Sequence, residues 1–279
     1  MNVIMPEKSA PHEEYYKRYV RYIKNILLEN KVSISYEGVD FDTRFVMNID
    51  GVEVSIDYSD HPQVNQKLIS KCKASFKFHF REEHTTISDL YPFAPTSFYD
   101  WKEYRRLKKS IKYTCNSDIV LNVQKPYGNA KERREYVRDA LYAKYKKSGN
   151  YIYSPYYEQE DYWRLINDCL VHVFVPGCYN DMFDRGHIQY FAFGCCTISP
   201  RIVDILPFNK KIIPGIHYIE CKSDYSDIVE KIEWSKKNRN KCREIGKNAQ
   251  KLFEYTCTPK RLWKWILSKI DSRKNSNRD

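Results

Sequence analysis

From Asp118 onward the chain alternates short apolar runs with longer amphipathic ones, and this rhythm restricts the fold more than any other feature. DIVLNV (118–123) is followed by the helical pattern NAKERREYVRDALYAKY, with Asn129 as its expected cap. NYIYSP (150–155), a helix in DYWRLINDC, the strand LVHVFVPG (170–177), a helix from Arg185 to Phe193, then CCTIS, HYIEC and a long charged helix continue the pattern. Parallel neighbours need crossover connections, so this punctuation predicts a parallel sheet covered by helices.

The first half has a different texture. Tyr16, Val20, Ile23 and Leu27 lie at helical spacing within residues 12–30 and predict an opening amphipathic helix. VSISYEG (32–38), RFVMNI (44–49) and VEVSIDYS (52–59) alternate apolar and polar residues, and Asp50-Gly51 between the last two is a hairpin signal. A short helix begun by Pro62 is expected before the strand KASFKFHF (73–80), and residues 91–101 read as an irregular loop. Lys77 and His79 fall on the strand face opposite Phe76 and Phe78; one of them could reach the cleft that the end of the preceding strand faces, but the expectation is a solvent-facing side. Near the end, Leu262, Trp263, Ile266 and Ile270 form an apolar stripe after Pro259, and a polar tail follows. The expected division is 1–117 and 118–256, then a last helix at 257–270 and the tail at 271–279.

With 279 residues, 42% of them hydrophobic, the chain can bury a sizeable core. No stretch approaches the roughly 18 unbroken apolar residues of a membrane span, and the N-terminus lacks the order of a signal peptide. Nine cysteines without repeated spacing make a poor disulfide framework. Together these predict a soluble, cytoplasmic protein. The formal charge is +11, and residues 102–147 carry 14 Lys or Arg against 5 Asp or Glu. Six tyrosines interleave that stretch: Tyr104, Tyr113, Tyr127, Tyr136, Tyr142 and Tyr145. It reads either as a nucleic-acid-binding or nuclease surface or as a surface helix plus loop.

In a parallel α/β sheet, ligands bind beyond the carboxyl ends of the strands, where a helix start offers backbone N–H groups to an anion. Residues 173–196 fit that place, with a strand ending at Pro176-Gly177 and Asp184-Arg185-Gly186 opening a helix. Arg185 there either forks onto a phosphate or lies on the surface. His187 either contacts phosphate or packs, and His172 reads as a satisfied core residue. In the first half, SIDYSDH places Asp57, Asp60 and His61 just after a strand. They are candidates for a base and its orienting partner, or form a turn in which Asp60 caps the helix begun by Pro62. Asp40-Phe41-Asp42 has the letters of a metal-binding DxD but sits in a hairpin loop.

The run from Gly177 through Arg185 to Gly194-Cys195-Cys196-Thr197-Ile198 resembles the donor-nucleotide motif in the C-terminal half of GT-B glycosyltransferases, including exostosin-like and CAP10-like enzymes. Residues 212–266, with Gly215, His217-Tyr218-Ile219 and Asn248-Ala249, resemble the closing pattern of the same families. The resemblance covers about 118–270. It implies an α/β GT-B fold of two Rossmann-like domains facing a cleft. The acceptor side would be 1–117 and the nucleotide-sugar side 118–256, with the last helix crossing back to the first domain. It implies donor binding by Arg133, Arg134, Tyr153, Ser154, Gly177, Tyr179, Phe183, Asp184, Arg185, Gly186, His187 and Gln189. Gln189 departs from the pattern, since members often carry Glu there to accept from ribose hydroxyls, although an amide also accepts. Transfer then needs a base, for which Asp57, Asp60 and His61 stand as candidates, and no metal or other cofactor is expected, the UDP-sugar being a substrate. The Lys/Tyr/Asn-rich character also resembles soluble glycosyltransferases that large DNA viruses such as chloroviruses use on capsid glycans. That likeness implies UDP-xylose as donor and a glycan hydroxyl as acceptor, and the resemblance to inverting GT-B enzymes implies inversion at the anomeric carbon.

Overall fold

The computed structural model describes residues 1–6, 13–37, 44–94, 101–122, 124–153, 165–166 and 169–271. Asp40-Phe41-Asp42, Ser154, most of DYWRLINDC and the tail from 272 lie outside the described residues. The chain divides into two compact units. Unit 1 comprises Met1–Trp101, Asp204–Lys211 and Tyr255–Asp279, and unit 2 comprises Lys102–Val203 and Ile212–Glu254. The helices are α1 (Glu13–Glu29), α2 (Gln66–Lys71), α3 (Trp101–Ser110), α4 (Lys131–Tyr145), α5 (Arg185–Ala192), α6 (Ile228–Lys237), α7 (Arg239–Thr256) and α8 (Pro259–Asp271).

Unit 1 is built on a six-stranded sheet of β1 (Asn2–Met5), β2 (Ser33–Tyr36), β3 (Arg44–Ile49), β4 (Val52–Asp57), β5 (Ala74–Lys77) and β6 (Leu90–Pro92), in the order β2-β1-β3-β4-β5-β6. β3 runs antiparallel to both neighbours, and the remaining pairs are parallel. The β3–β4 hairpin turns at Asp50 (φ +46°) and Gly51 (φ +87°), the left-handed pair that a two-residue turn of this hand requires. The Gly51 N–H donates to Asn48 Oδ1 at 2.7 Å. β1, which the sequence pattern does not announce, is part of the core: Val3 and Met5 are fully buried, and β1 links β2 to β3.

Three further expectations for this half change. Pro62 does not begin α2. The helix starts at Gln66, capped by Asn65, whose Oδ1 accepts from the Leu68 N–H at 3.2 Å. The irregular loop expected at 91–101 begins as β6. Lys77 and His79 are buried rather than solvent-facing. The apolar stripe of α8 is realised, with Leu262, Trp263, Ile266 and Ile270 buried, and α8 packs on α1 within unit 1. Trp265 Nε1 donates to the Pro92 carbonyl at 2.8 Å. The excursion Asp204–Lys211 adds a small antiparallel pair, β11 (Ile205–Leu206) and β12 (Lys210–Lys211).

Unit 2 carries the predicted parallel sheet: β7 (Ile119–Asn122), β8 (Tyr151–Tyr153), β9 (Cys169–Val173), β10 (Thr197–Ser199) and β13 (Ile219–Glu220), in the order β13-β10-β9-β7-β8. Every pairing is parallel. Val120, Val171, Val173 and Ile198 from the strands pack with Val137 and Leu141 of α4, Ile228 and Ile232 of α6 and Ile245 of α7. Beyond the carboxyl ends of such strands the ligand crevice opens at the switch point, where strand order reverses, here between β7 and β9. α4 follows a 3-10 turn at Gly128–Ala130, and its N-cap is Ala130, with no side-chain cap bond. Asn129 is therefore not the cap; its amide lies 3.8 Å from Cys178 Sγ. α5 ends at Gly194 (φ +73°), and a Cβ on Gly246 would stand 2.0 Å from the Gly194 carbonyl oxygen, so α7 requires glycine at that crossing. Among the described residues no helix is long and apolar enough to cross a membrane.

Candidate functional site

At the switch point of unit 2, the first turns of α4 bring two arginines to the carboxyl end of β9. The Arg133 guanidinium donates to the carbonyls of Asn129 (3.1 Å), Pro176 (3.4 Å) and Gly177 (3.1 Å), while its buried Nε has no hydrogen-bond partner. Arg134 donates to the carbonyls of Val175 (3.2 Å) and Lys125 (3.0 Å). Burial lowers the Arg134 pKa from its ordinary value, partly offset by the Asp184 carboxylate, and Arg133 beside it adds to the depression. Gln124 locks the same place: its Oε1 accepts from the Val175 N–H at 2.5 Å and its Nε2 donates to the Val175 carbonyl at 2.7 Å. The two arginines are thus aimed by main-chain carbonyls rather than neutralised by carboxylates.

α5 begins where the sequence predicts, and Asp184 is its N-cap. Its Oδ1 accepts from the Arg185 N–H at 2.6 Å, and its Oδ2 accepts from the Gly177 N–H at 3.0 Å. This carboxylate occupies the positive helix end that the sequence reading offered to an anion. His187 completes the cap: Nδ1 accepts from the Asp184 N–H at 3.1 Å, so Nε2 carries the proton and donates to Ser199 Oγ at 2.8 Å. It is fully buried and stacked on Phe183. Gly186 is required by packing, since a Cβ there would lie 2.0 Å from the Phe174 ring. A Cβ on Gly177 would meet Asp184 Oδ2 at 3.1 Å. Arg185, Gln189 and Tyr179 are half-buried around this turn, and Tyr153 ends β8 beside Tyr151. Tyr225 and Asn180 were not singled out in the sequence: the Tyr225 hydroxyl donates to Asn180 Oδ1 at 2.6 Å, and burial raises its pKa, which Arg133 and Arg134 oppose.

His172 is a core residue, as expected, but not a satisfied one. Neither ring nitrogen has a hydrogen-bond partner, and burial pushes its pKa down to about 3, so the ring is neutral. Of the six tyrosines interleaving the basic stretch, Tyr104 and Tyr145 are buried in the core, while Tyr127, Tyr136 and Tyr142 are exposed.

In unit 1 the parallel strands β4 and β5 also end in charged groups. Asp57 closes β4 and pairs with the fully buried Lys77 at 3.3 Å; Lys77 also donates to Ser59 Oγ at 3.4 Å. The other Asp57 oxygen accepts from the Ser59 N–H at 2.9 Å. Asp60 sits in the loop beyond, outside any helix, so the reading in which it caps a Pro62 helix falls. Its side chain is 37% exposed and ion-paired to His79 Nε2 at 3.5 Å. His79 is only 4% exposed, and its Nδ1 donates to Asp204 Oδ2 at 2.9 Å. His84 ties the loop down: Nδ1 accepts from the Arg81 N–H at 3.0 Å, and Nε2 donates to the Pro62 carbonyl at 2.7 Å. His61 is exposed. The structure places His79 in an ion pair with Asp60, a partnership invisible to local spacing. Among the described residues no group of three or more His, Cys, Asp or Glu is placed to hold a metal ion.

No known family model matches the chain. The uncharacterized protein 179R of Invertebrate iridescent virus 6 is 33% identical over 84 residues, covering 25% of this chain and 7% of that protein. Protein O-glucosyltransferase 3 of Homo sapiens is 31% identical over 72 residues, covering 25% of this chain and 14% of that protein. The matched stretches are therefore small parts of both relatives. Among solved structures, Anabaena Alr3699/HepE in complex with UDP superposes over 96% of this chain and 99% of its own, with TM-score 0.51 at 7% identity. A glycosyltransferase from Rickettsia africae covers 95% of this chain and 83% of its own, with TM-score 0.49 at 8% identity. The chain shares its fold with the Anabaena protein, an α/β fold of the GT-B kind with two Rossmann-like units.

Proposed function

We propose that this protein is a glycosyltransferase that moves a sugar from a UDP-sugar to a hydroxyl of a glycan acceptor. The observation that carries the reading is the pair Arg133 and Arg134, hooked onto strand-end carbonyls at the β7/β9 switch point, with Asp184 near Arg134. Such a place suits a diphosphate, and the UDP complex of the Anabaena structure and the name of the human relative support the same class. Gly177, Tyr179, Phe183, Arg185, Gly186 and Gln189 would line the donor, His187 would hold Asp184 in place beneath it, and Tyr153 with Ser154 would meet the base. UDP-xylose is the donor that the resemblance to viral capsid-glycan enzymes implies, with action in the cytoplasm.

In the reaction, the acceptor oxygen bonds to the anomeric carbon as the bond from that carbon to the diphosphate oxygen breaks. The electron pair leaves with UDP, whose developing charge the arginines stabilise without a metal ion. The acceptor's hydroxyl proton passes to a base. Asp60 is the member of the Asp57, Asp60 and His61 trio that joins exposure to a fixed carboxylate, while Asp57 is spent on Lys77. Displacement in one step inverts the anomeric centre.

Thermal-shift titration with UDP, GDP and a panel of UDP-sugars, with and without EDTA, tests this reading, because a ligand of the folded state raises Tm by mass action. A selective rise with one UDP-sugar, unchanged by EDTA, is expected. No rise with any nucleotide, beside salt-sensitive oligonucleotide binding, would turn attention to the basic stretch at 102–147.

A further inference from the structure

We propose that His79 and Asp204 form a buried positioning relay that holds Asp60 as an oriented, ionised carboxylate, and that the chain's short return to unit 1 at Asp204–Lys211 serves to deliver Asp204 to it. This rests on the reading of Asp60 as the base.

Geometry carries the proposal. His79 stands between two carboxylates, Asp204 on Nδ1 at 2.9 Å and Asp60 on Nε2 at 3.5 Å, and only Asp60 reaches solvent. Its backbone is left-handed (φ +51°), a conformation costly for a residue with a Cβ and found where surrounding structure over-determines it. That surrounding structure is the excursion: the Ile205 N–H donates to the Phe80 carbonyl at 2.7 Å, and Ile205 packs with Phe80, Ile69 and Leu90. These contacts clamp the residues on either side of the His79–Asp204 bond. Asp204 is 3% exposed, and a carboxylate so buried is costly without a cationic partner. Arg81 Nε lies 3.9 Å from its other oxygen. Asp60, Asp204 and Arg81 are charged groups around His79, and the Asp57–Lys77 pair stands at the adjacent strand ends.

Burial alone would push the His79 pKa down; the charge and hydrogen bond of Asp204, then those of Asp60, raise it instead to about 9. The imidazolium holds both protons at neutral pH and donates to both carboxylates. The ring thus orients a carboxylate whose side chain is 37% exposed, and the acceptor's proton would pass to that carboxylate. His79 touches no substrate in this arrangement and acts through Asp60.

The test uses the full chain and two variants, His79→Gln and the near-isosteric Asp204→Asn. By NMR, the His79 ring of the wild type is expected to stay protonated past pH 8, and in Asp204→Asn to titrate at lower pH. In transfer assays His79→Gln is expected to lower kcat about 100-fold, the lower range for positioned proton transfer, with donor KM unchanged. The acid limb of its pH–rate profile should move upward, because a carboxylate without its cation is easier to protonate. A merely structural role would not move that limb. Wild-type kcat and an unmoved profile in both variants, with Asp60→Asn inactive, would overturn the relay and leave the glycosyltransferase reading intact. So would a wild-type His79 ring that titrates at an ordinary pH. Absence of transfer by the wild type with every UDP-sugar would overturn both.

Discussion

The strand ends of the two units carry charge in opposite ways. In unit 1, Lys77, His79 and Arg81 face Asp57, Asp60 and Asp204, three cations against three carboxylates, paired and largely buried. In unit 2, Arg133, Arg134 and Arg185 lie about the helix start that Asp184 caps, and the arginines of α4 are aimed by carbonyls. A closed cluster moves a proton within itself with little net change of charge. An open one is left with surplus positive charge and suits an anion. If the proposed function holds, proton transfer and diphosphate binding draw on different units, and the two can be broken separately.

The largest effect expected is that separation. Asp60→Asn should lower kcat about 1,000-fold while leaving the UDP-induced rise in Tm unchanged. Arg134→Gln should do the reverse to binding, weakening UDP about tenfold, the value of one lost charge-assisted contact. Turnover numbers and UDP titrations of both variants check the pair. A loss of UDP binding in Asp60→Asn would erase the distinction between the clusters.

How far these clusters were legible in the sequence differs for the same physical reason. In unit 2 the place of Arg133 and Arg134 beyond a strand end follows from local order, a strand, a turn and a helix start, although the carbonyls at the end of β9 that aim them lie 41 to 44 residues on; Asp184 caps the next helix three residues before His187. In unit 1 the partners of Asp60 are not local. His79 and Asp204 are 125 residues apart, and nothing in the periodicity of either segment announces that Asp204–Lys211 returns to the first unit. Alternation correctly separated Lys77 and His79 from Phe76 and Phe78, but a period of two says which residues share a face, not what covers it. β1 was missed because four residues at a terminus carry too little pattern, although the sheet closes through them.

Next in size is a pH effect confined to the closed cluster. A folded-state pKa raised to about 9 means that His79 contributes stability fully below its unfolded value near 6.5, and that this is lost as pH rises to about 9. The whole contribution is of order 3 kcal/mol from the shift. Chemical denaturation of wild type and His79→Gln between pH 6 and 9.5 should show curves that converge as pH rises. Parallel curves would mean that the His79 pKa is the same in the folded and unfolded chain, so that the carboxylates do not hold its proton.

A smaller loss tests whether the open cluster depends on close packing beneath it. Gly186→Ala places a Cβ where the buried Phe174 ring stands, a clash relieved only by shifting α5 or the ring. It should cost about 2 kcal/mol, typical of overpacking, and lower Tm. An unchanged Tm would show that Gly186 is free of that constraint, leaving donor contact as the reason for glycine there.

The smallest effect concerns the end of α4 from which Arg133 and Arg134 project. Ser, Thr, Asn or Asp at a true N-cap stabilises a helix by about 1 kcal/mol over Ala, because the side chain satisfies an otherwise orphaned N–H. Here the N-cap is Ala130, and the turn at Gly128–Ala130 precedes it, while the Asn129 side chain points to Cys178. Asn129→Ala should therefore change stability by less than about 0.5 kcal/mol, the range of an ordinary surface substitution. The Asn129 carbonyl that receives Arg133 belongs to the main chain and survives the change, so UDP binding should survive with it. A fall near the full cap value, with weaker UDP binding, would show that the sequence reading of Asn129 was right and that the aim of the arginines depends on a capped helix. An unchanged Tm and unchanged binding would place the fixing of Arg133 and Arg134 in the strand-end carbonyls alone, which is what sets this cluster apart from the ion-paired one.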